Sequence, residues 1–541
     1  MNRLSALDAY FLYLETPETP MHFGSLTIFG PAVESGLRLF ESFRDHTVAR
    51  FDLLASYRRW PRPTPLAIDH PVWVDADNLD LDYHIRHMAL PRPGTMEQLR
   101  SLVAQLHMTL LDRRRPLWQY YLIEGLEDGG FAVYAKVHHA DMDGVAGMET
   151  LPFIYDLSPD PPPNDKPTKR FAKAESPDFP RLIGAAFADF ARQGARLVGS
   201  LPAAARTVVK IAQRPGKDVR YLVDVVRDTP KTIFNKSISG RRSFGTASVS
   251  LSQAKEVAKA RGATINDIVL AICAGALRRY LSERRALPDA PLTAAVPASL
   301  RGRDDGRLNN QVLFTLCKLA TDRAEPLQRD AAVKASAQDA KGLFADVKEV
   351  LTTDISVIGA PLVITAAARL VGMTSAADLL PALANVIISN VPGPRKPIYL
   401  SGAAAVHYFP VSIPYHGFAL NITVQSYLDN LEFGLVACRV AVPDAQLIAS
   451  SLVEEFETLK RASEALSRPD AIATIEIAPS VASAAANSAQ VKSKPPAAKR
   501  PSAAKSIKAA AKSSITVKRT ASTSSGRANR HAASEPGPAK T

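Results

Sequence analysis

Hydrophobic residues recur along the chain with two different periods, and segments of the two kinds alternate. Residues 131–137 (FAVYAKV) place β-branched and aromatic side chains along one face at every second position, which predicts a strand. Residues 97–111 place leucine and valine at helical spacing, which predicts an amphipathic helix. Because strands and helices interleave in both halves of the chain, the pattern predicts an α/β or α+β fold.

The same two periods locate further elements. Strands are predicted at 24–29, 119–123, 292–296 and 386–389, and helices at 37–54, 268–277 and 444–466. Residues 60–93 are rich in proline, aspartate and histidine, which predicts loops with short strands. Residues 180–226 predict two helices with two open interpretations: a connector packed across two domains, or a basic amphipathic surface that rests on lipid.

The chain is too long for a single hydrophobic core, which predicts two folded domains with additional segments. Residues 1–160 are interpreted as the first domain and residues 236–470 as the second. Between them, residues 161–235 begin with a proline-rich linker and continue with connecting amphipathic helices. Residues 471–541 form a tail rich in lysine, alanine, serine and proline. We expect the tail to be disordered, because it cannot bury enough apolar surface to offset the entropy of an ordered chain.

Most of the positive charge lies in this tail. The whole chain has a formal net charge of +13, and residues 491–541 contain eight lysines, four arginines and one acid, Glu535. This segment therefore carries +11, and the rest of the chain is close to neutral. A basic tail of this kind predicts attraction to anionic lipid or to nucleic acid through counterion release, and an inert solvated extension is an equally open interpretation.

The three cysteines, Cys273, Cys317 and Cys438, are far apart and lie in apolar surroundings. They predict neither a disulfide framework nor a CxxC metal site, and this usage fits a reducing cytosol. The N-terminal residues lack the pattern of a secretory signal peptide. The longest uncharged stretches, 355–368 and 379–394, are too short to span a bilayer. We therefore expect a cytoplasmic protein that does not cross a membrane.

One seven-residue stretch, HHADMDG at 138–144, directly follows the strand predicted at 131–137, and a helix is predicted behind it, across 144–157. Because neighbouring residues of a strand point to opposite faces, His138 and His139 are not expected to serve the same centre. This geometry disfavours a shared metal and favours one working imidazole with a supporting neighbour. An imidazole titrates near pH ~6.5, so His139 can take a proton from a hydroxyl and return it later, as a general base does.

Several other chemistries have no motif in the chain. The sequence contains no Gly-x-Ser-x-Gly nucleophile elbow, no GxGxxG dinucleotide fingerprint and no GxxxxGK[ST] phosphate loop. A base without an evident protein nucleophile suggests that a substrate hydroxyl attacks an activated acyl group directly. A thioester suits this reaction, because its thiolate leaves readily without a covalent enzyme intermediate. Neither a metal nor another cofactor is predicted.

The motif and several other stretches occur in an order that resembles one known family. These stretches are LSALD at 4–8 with ETPETPMH at 15–22, RPLW at 115–118, ND at 266–267, PASLR at 297–301 with NNQ at 309–311, and SNVPGP at 389–394. Over about residues 1–465 the chain is similar to the bacterial wax ester synthase/diacylglycerol acyltransferases of the CoA-dependent acyltransferase superfamily. The resemblance implies two chloramphenicol-acetyltransferase-like domains with an active-site channel between them.

The resemblance also implies roles for the motif residues. His139 would deprotonate the acceptor hydroxyl, which attacks the acyl-CoA carbonyl in a ternary complex. His138 would be a secondary catalytic residue. Asp143 would orient the motif loop through an ion pair, and Gly144 would allow its tight turn.

The remaining motif residues have both a functional and an architectural interpretation. Asn266 and Asp267 matter for activity in the family, but Thr264 lies three residues before Asp267, at the spacing of a helix capping box. The residues implied to bind substrate are Pro116, Leu117, Trp118, Arg301, Ser389 and Asn390. The first three either line the acyl-CoA path or belong to the core, and the last two either face the channel or shape a turn.

The resulting hypothesis is an acyl-CoA-dependent O-acyltransferase that forms triacylglycerol from diacylglycerol, wax esters from long-chain alcohols, or both. Long-chain acyl-CoA would be a substrate, and no cofactor would be needed. Because the products are insoluble, we expect the protein at the surface of a membrane or lipid droplet. Two alternatives stay open. One is a transferase of the same fold with another acceptor or donor, and the other is a non-catalytic lipid-droplet or nucleoid-associated protein that acts through its basic tail.

Overall fold

A computed structural model of the chain describes residues 3–32, 34–50, 54–67, 69–142, 147–148, 150–161, 224–299, 312–351, 365 and 378–466. All described residues belong to one compact unit, Met1–Ile475. The predicted tail and most of the predicted connector lie outside the described residues. The same is true of three predicted site residues, Asp143, Gly144 and Arg301.

The described residues form strands and helices in alternation, as the hydrophobic pattern predicts. The strands are β1 (His22–Phe29), β2 (Arg59–Arg62), β3 (Val72–Asp75), β4 (Ile85–Ala89), β5 (Trp118–Glu124), β6 (Phe131–His138), β7 (Arg242–Ser250), β8 (Thr293–Ser299), β9 (Val312–Lys318), β10 (Val386–Val391), β11 (Tyr399–Leu400), β12 (Ala403–Val411), β13 (Leu420–Tyr427) and β14 (Asn430–Cys438). The helices are α1 (Ala6–Leu14), α2 (Leu37–Ala49), α3 (Leu81–His84), α4 (Met96–Met108), α5 (Leu151–Ile154), α6 (Leu251–Ala260), α7 (Ile265–Glu283), α8 (Pro326–Leu351) and α9 (Ala445–Leu466).

The first six-stranded sheet has the order β11-β12-β1-β6-β5-β4, and only β4 and β5 run parallel. The strand that ends at the histidine motif, β6, is therefore central and is paired on both sides. The edge formed by β11 and β12 comes from the C-terminal half of the chain, with Val411 opposite Gly24 of β1. The N-terminal sheet is thus completed by residues from beyond 390, while the domain limits at 160 and 236 remain predictions.

The second six-stranded sheet has the order β7-β14-β13-β10-β8-β9, in which β10 runs parallel to both of its neighbours. Helices α7, α8 and α9 pack together beside it. The main core of this half lies between α7 and the sheet and is almost entirely aliphatic, with Phe433 and Phe456 among its largest members.

The two sheets meet through α4 and β12. Leu99 and Val103 of α4 share one apolar cluster with Phe244 of β7 and Val436 of β14. At the closest approach a Cβ on Gly434 would lie 1.7 Å from the backbone oxygen of Pro410. Only glycine fits at this point, because the obstacle is a backbone atom of β12 and not a flexible side chain.

Two of these α-helices begin with a reciprocal capping box, which satisfies their first N–H groups. In α7, the hydroxyl of Thr264 accepts from the N–H of Asp267, whose carboxylate accepts from the N–H of Thr264. This is the capping box that the sequence predicts. A second box, between Thr95 and Gln98, begins α4.

Several predicted boundaries are wrong by a few residues. The apolar run predicted at 268–277 belongs to a longer helix, which the predicted capping box starts at Ile265 and which continues to Glu283. The strand predicted to end at 389 continues to Val391, because its pairing with β13 extends that far. The helix predicted at 37–54 ends at Ala49. Within the helix predicted at 144–157, the described residues contain the short helix α5, which ends at Ile154.

Among the helices of the described ranges, no single one is long and apolar enough to cross a membrane, although α6 and α7 together pass the length and composition test as a pair bent by 98°.

Candidate active site

The two motif histidines lie where β6 ends, and their backbones are held from both sides. The N–H of His138 donates to the carbonyl of Leu117 at 2.9 Å, and the N–H of His139 donates to the carbonyl of Met21 at 2.8 Å. His22 of β1 lies directly opposite His138 in the strand register. The central position of β6 therefore fixes the motif on the two strands that flank it.

His138 is fully buried and both of its ring nitrogens are engaged. Its Nδ1 accepts a hydrogen bond from the N–H of Ala140 at 3.0 Å, so the ring proton must reside on Nε2. That Nε2–H donates to Oε2 of Glu15 at 3.1 Å. Both ring nitrogens of His138 are accordingly engaged within the protein, and neither is left for a substrate.

Glu15 is a buried carboxylate that connects three segments. Its Oε2 also accepts from the N–H of Met21 at 3.2 Å, and its Oε1 accepts from the guanidinium of Arg113 at 2.7 Å. Burial favours the neutral acid, but His138 and Arg113 outweigh it and lower the pKa of Glu15 to about 2. Glu15 is therefore ionised at neutral pH.

His139 has different surroundings and is only half-buried. Its ring stacks on Phe11 of α1, with centroids 4.5 Å apart and planes 11° apart, and contacts Phe23 at 4.8 Å. The two phenyl rings confine the imidazole without removing it from the surface. The two histidines thus face different environments, as expected for neighbours at the end of a strand.

The motif loop is also held by Asp141, which the sequence did not single out. Its carboxylate accepts from Nη2 of Arg59 at 2.7 Å, and the Arg59 guanidinium lies 4.3 Å from the ring centre of Trp73. This pair ties the loop to the small sheet of β2 and β3. Asp143 and Gly144, to which the sequence assigns the loop geometry, lie outside the described residues.

A group of buried bases lies on the same face of β6 as His138. Lys136 is fully buried and donates to the carbonyls of Leu106 and Thr109, and burial lowers its pKa to about 7. His22 contacts the carbonyl of His107 at 2.8 Å, and burial holds the pKa of His22 well below its usual value. These groups approach neutrality because burial penalises their charged forms.

The Pro-Leu-Trp stretch predicted to bind substrate is buried. Leu117 is 1% exposed and packs in a cluster with Leu12 of α1 and Ala140 of the motif. Trp118 is also 1% exposed, and its ring stacks on His84 at 4.3 Å. Pro116 is buried beside them. Leu117 of this stretch therefore packs against the motif, and direct contact of the stretch with substrate stays a prediction.

The other predicted site residues lie in the second half. Asp267 is buried in the capping box, with Lys341 at 3.5 Å, and Asn266 is half-buried on the first turn of α7. Ser389 and Asn390 belong to β10, opposite Thr423 and Val424 of β13. The contacts of Asp267 with Thr264 and Lys341 are architectural. Arg301 lies outside the described residues, and the substrate-binding roles of all these residues stay predictions.

Within the described ranges, no group of three or more His, Cys, Asp or Glu residues could hold a metal ion. A cavity of about 270 Å³ lies away from the motif, between α7, α8 and α9. Three arginines line it, Arg278, Arg279 and Arg329, together with Glu455, which pairs with Arg329 at 2.6 Å.

Sequence reasoning missed Glu15, Arg113 and Arg59. Glu15 lies in one of the stretches that carry the family resemblance, and this was the only available signal for it. Neither arginine has a spacing that points to the motif, because Arg113 is 98 residues from Glu15 and Arg59 is 82 residues from Asp141.

Comparisons with known proteins agree on one family. Residues 4–269 match the wax ester synthase/diacylglycerol acyltransferase catalytic domain, and residues 308–460 match the WS/DGAT C-terminal domain. A protein of Mycobacterium tuberculosis named a probable diacylglycerol O-acyltransferase is 35% identical over 475 residues, which cover 85% of this chain and 99% of the relative.

Two solved structures have a similar fold. The wax ester synthase/diacylglycerol acyltransferase from Marinobacter aquaeolei VT8 is 30% identical, with a TM-score of 0.61 over 86% of this chain and 100% of that chain. The first condensation domain of the CDA synthetase is 16% identical, with a TM-score of 0.51 over 85% of this chain and 96% of that chain. The second likeness concerns the fold alone, and together they confirm the predicted fold class.

Proposed function

This chain belongs to the wax ester synthase/diacylglycerol acyltransferase family, and on that premise we propose that His139 is the general base of an acyl transfer from long-chain acyl-CoA to an alcohol. The acceptor is the free hydroxyl of a diacylglycerol or of a long-chain alcohol. One observation carries the assignment of the base. His138 is buried with both nitrogens engaged, whereas His139 is half-buried between Phe11 and Phe23.

The proposed reaction needs no covalent enzyme intermediate. His139 removes the proton of the acceptor hydroxyl as its oxygen attacks the thioester carbonyl carbon. The new carbon–oxygen bond forms, the carbon–sulfur bond breaks, and the imidazolium returns the proton to the departing CoA thiolate. The phenyl rings beside His139 shield this exchange from bulk water and offer apolar contact to an acyl chain.

The test is CoA thiol release from palmitoyl-CoA by the purified protein, with hexadecanol and a diacylglycerol offered separately. Replacing His139 with alanine is expected to lower acceptor-dependent release by about 10²–10⁴-fold, the usual contribution of a general base. His87→Ala is the matched control, because His87 is a half-buried histidine of the same sheet that pairs with Glu124. Acceptor-dependent release that survives His139→Ala would contradict the assignment. If the wild type releases no CoA with hexadecanol or with the diacylglycerol, another donor or acceptor is favoured.

We also propose that the protein works at the surface of a membrane or lipid inclusion in the cytoplasm. Three exposed leucines before β10 support this, with Leu379 84%, Leu380 57% and Leu383 58% exposed. Exposed Lys231 lies beside them, and its Nζ donates to the carbonyl of Asp378 at 2.8 Å. Apolar side chains beside a cation suit an interface of acyl chains and anionic headgroups.

Flotation with anionic vesicles tests this surface. The double substitution of Leu379 and Leu380 by serine is expected to reduce the bound fraction, whereas Leu447→Ser is the control, since Leu447 is an exposed leucine on α9. Equal binding of both variants would contradict the proposal.

The basic tail is proposed to add a salt-sensitive attraction to anionic lipid or nucleic acid. Its support is the net charge of +11 in residues 491–541. Deleting residues 480–541 should weaken binding to anionic vesicles or DNA at low salt. Unchanged binding to both would rule out this role.

A further inference from the structure

Glu15 is placed to control the geometry of the motif although it lies 123 residues before His138. It ends α1 as the C-terminal cap residue, and its carboxyl side chain is only 2% exposed. Arg113 holds Oε1, while His138 and the N–H of Met21 share Oε2. Three donors thus converge on one buried carboxylate, and nothing in the chemistry proposed above uses it.

We infer that Glu15 is a positioning residue, which locks His138 and the end of α1 onto the motif and thereby holds the imidazole of His139 in its working orientation. This inference rests on the proposed role of His139 as the base. Glu15 itself does not touch the reacting atoms. Its effect reaches His139 by two routes.

The first route is the peptide of Met21. Its N–H donates to Glu15, and its carbonyl accepts the N–H of His139 at 2.8 Å. A shift of this peptide therefore moves the backbone of His139 directly. The same carboxylate orients the neighbouring His138 ring, so both motif residues follow one anchor.

The second route is α1. Phe11 lies one helical turn before Glu15 and therefore on the same side of the chain. Its ring stacks on His139 with centroids 4.5 Å apart. With Glu15 anchored, α1 holds this phenyl ring against the imidazole. With the anchor lost, the stacking partner of the proposed base can shift.

A glutamine at position 15 cannot replace the carboxylate. All its neighbours are donors: the guanidinium of Arg113 on one side, and His138 Nε2–H with the N–H of Met21 on the other. The glutamine oxygen can serve only one side, so its NH₂ group faces donors on the other. His138 cannot relieve the conflict by changing tautomer, because its Nδ1 already accepts from Ala140.

The experiment measures kcat, KM for palmitoyl-CoA and thermal stability of the full chain. Glu15→Gln is expected to lower kcat by about 10- to 100-fold in folded protein with KM little changed, because a small displacement of a working group costs rate more than binding. Glu15→Asp keeps the charge and is expected to recover part of kcat. Glu124→Gln is the matched control, because Glu124 also pairs with a histidine, His87 at 2.5 Å, on neighbouring strands of the same sheet.

A second pair of variants does not depend on the folding of Glu15→Gln. In His138→Gln the amide N–H reaches the place of Nε2–H and can still donate to Glu15, whereas His138→Asn reaches only the place of Nδ1. We expect His138→Gln to retain about 10-fold more kcat than His138→Asn.

The outcomes separate this inference from the proposed function. Wild-type kcat in folded Glu15→Gln, or equal kcat in the two His138 variants, would overturn the positioning role while His139→Ala remains inactive. An active His139→Ala would instead overturn the proposed base. A loss of thermal stability without a loss of kcat, as expected for Glu124→Gln, would mean that Glu15 serves the fold alone.

Discussion

In the first sheet, the strands β1 and β6 carry three fully buried basic residues, His22, Lys136 and His138. Beside the second sheet, the helix α7 has thirteen buried residues, and only Asp267 among them carries a formal charge. The first arrangement is costly, because each buried polar group must find its partners inside the protein. The second is inexpensive, since apolar burial needs only close packing. The costly arrangement is the one that surrounds the motif.

The contrast indicates a division of labour between the pair β1–β6 and the apolar core around α7. The buried carboxylate of Glu15, held by His138 and by the 41% exposed side chain of Arg113, demands one geometry of its donors. An aliphatic core tolerates small changes of geometry and supplies most of the free energy of folding. We therefore expect polar substitutions around β6 to change kcat, and apolar substitutions around α7 to change stability.

The largest expected effect lies in the second core. Phe433 of β14 is fully buried in this core, and replacing it with alanine should lower the free energy of unfolding by about 3–5 kcal/mol. The kcat of the protein that remains folded should be unchanged. Urea unfolding and the acyl transfer assay measure the two quantities, and exposed Leu447→Ala is the control. A reduced kcat at full folding would break the division of labour.

The next largest effect is the loss of stability at acid pH that results from protonation of Glu15. Its pKa in the folded protein, about 2, lies below the ordinary value of 4.5, so its contribution is present above pH 4.5 and is lost as pH falls through 2. The wild type should lose about 3 kcal/mol over this window that Glu15→Gln does not lose. Urea unfolding at several pH values between 5 and 2 measures the difference. Parallel pH profiles for the two proteins would contradict the prediction.

Lys136 sharpens the comparison at alkaline pH. Its pKa of about 7 in the folded protein lies below the ordinary 10.5, so between these values the unfolded chain binds more protons and stability rises with pH. Relative to Lys136→Met, the wild type should gain about 2 kcal/mol between pH 7.5 and pH 9. Thermal unfolding of both proteins across this pH range tests the predicted gain in stability. Lys255→Met, on the exposed face of α6, should show no such slope, and a slope there would point to a general charge effect.

The smallest effect concerns the capping box of α7. Thr264→Ala removes the acceptor for the N–H of Asp267 and should cost about 1 kcal/mol of stability, whereas Thr264→Ser should cost little. Activity separates the two interpretations of this motif. Equal kcat in wild type and Thr264→Ala would assign the box to architecture, and a large loss of kcat would show that the start of α7 serves the reaction.

Local features of the fold could be predicted from the sequence because they depend on near neighbours. The strand at 131–137 is found as Phe131–His138, since the two-residue period that predicts it is a local property of the sequence. The capping box at Thr264 and Asp267 is found as predicted, because its hydrogen bonds span only three residues. The divergent surroundings of His138 and His139 also follow from the two-residue repeat of a strand.

The candidate site is less predictable because its contacts join distant segments. Glu15 meets His138 across 123 residues and Arg113 across 98, and the pairing of β1 with β12 spans nearly 390. Such partners depend on strand order and register, which no local period encodes. Lys136 illustrates the limit, because its position in FAVYAKV looks like the exposed face of a strand. The C-terminal end of α4 covers this face, where Lys136 donates to the carbonyls of Leu106 and Thr109.

The sequence by itself determined the alternation of strands and helices, the helix caps and the location of the histidine motif, because these depend on side chains a few positions apart. Only the tertiary structure decided which histidine is fully buried and which is half-buried, and that Glu15 holds the first. The physical reason is that a buried carboxylate acts on whichever donors the strand register brings within hydrogen-bonding distance, and that register is set by the packing of the whole sheet.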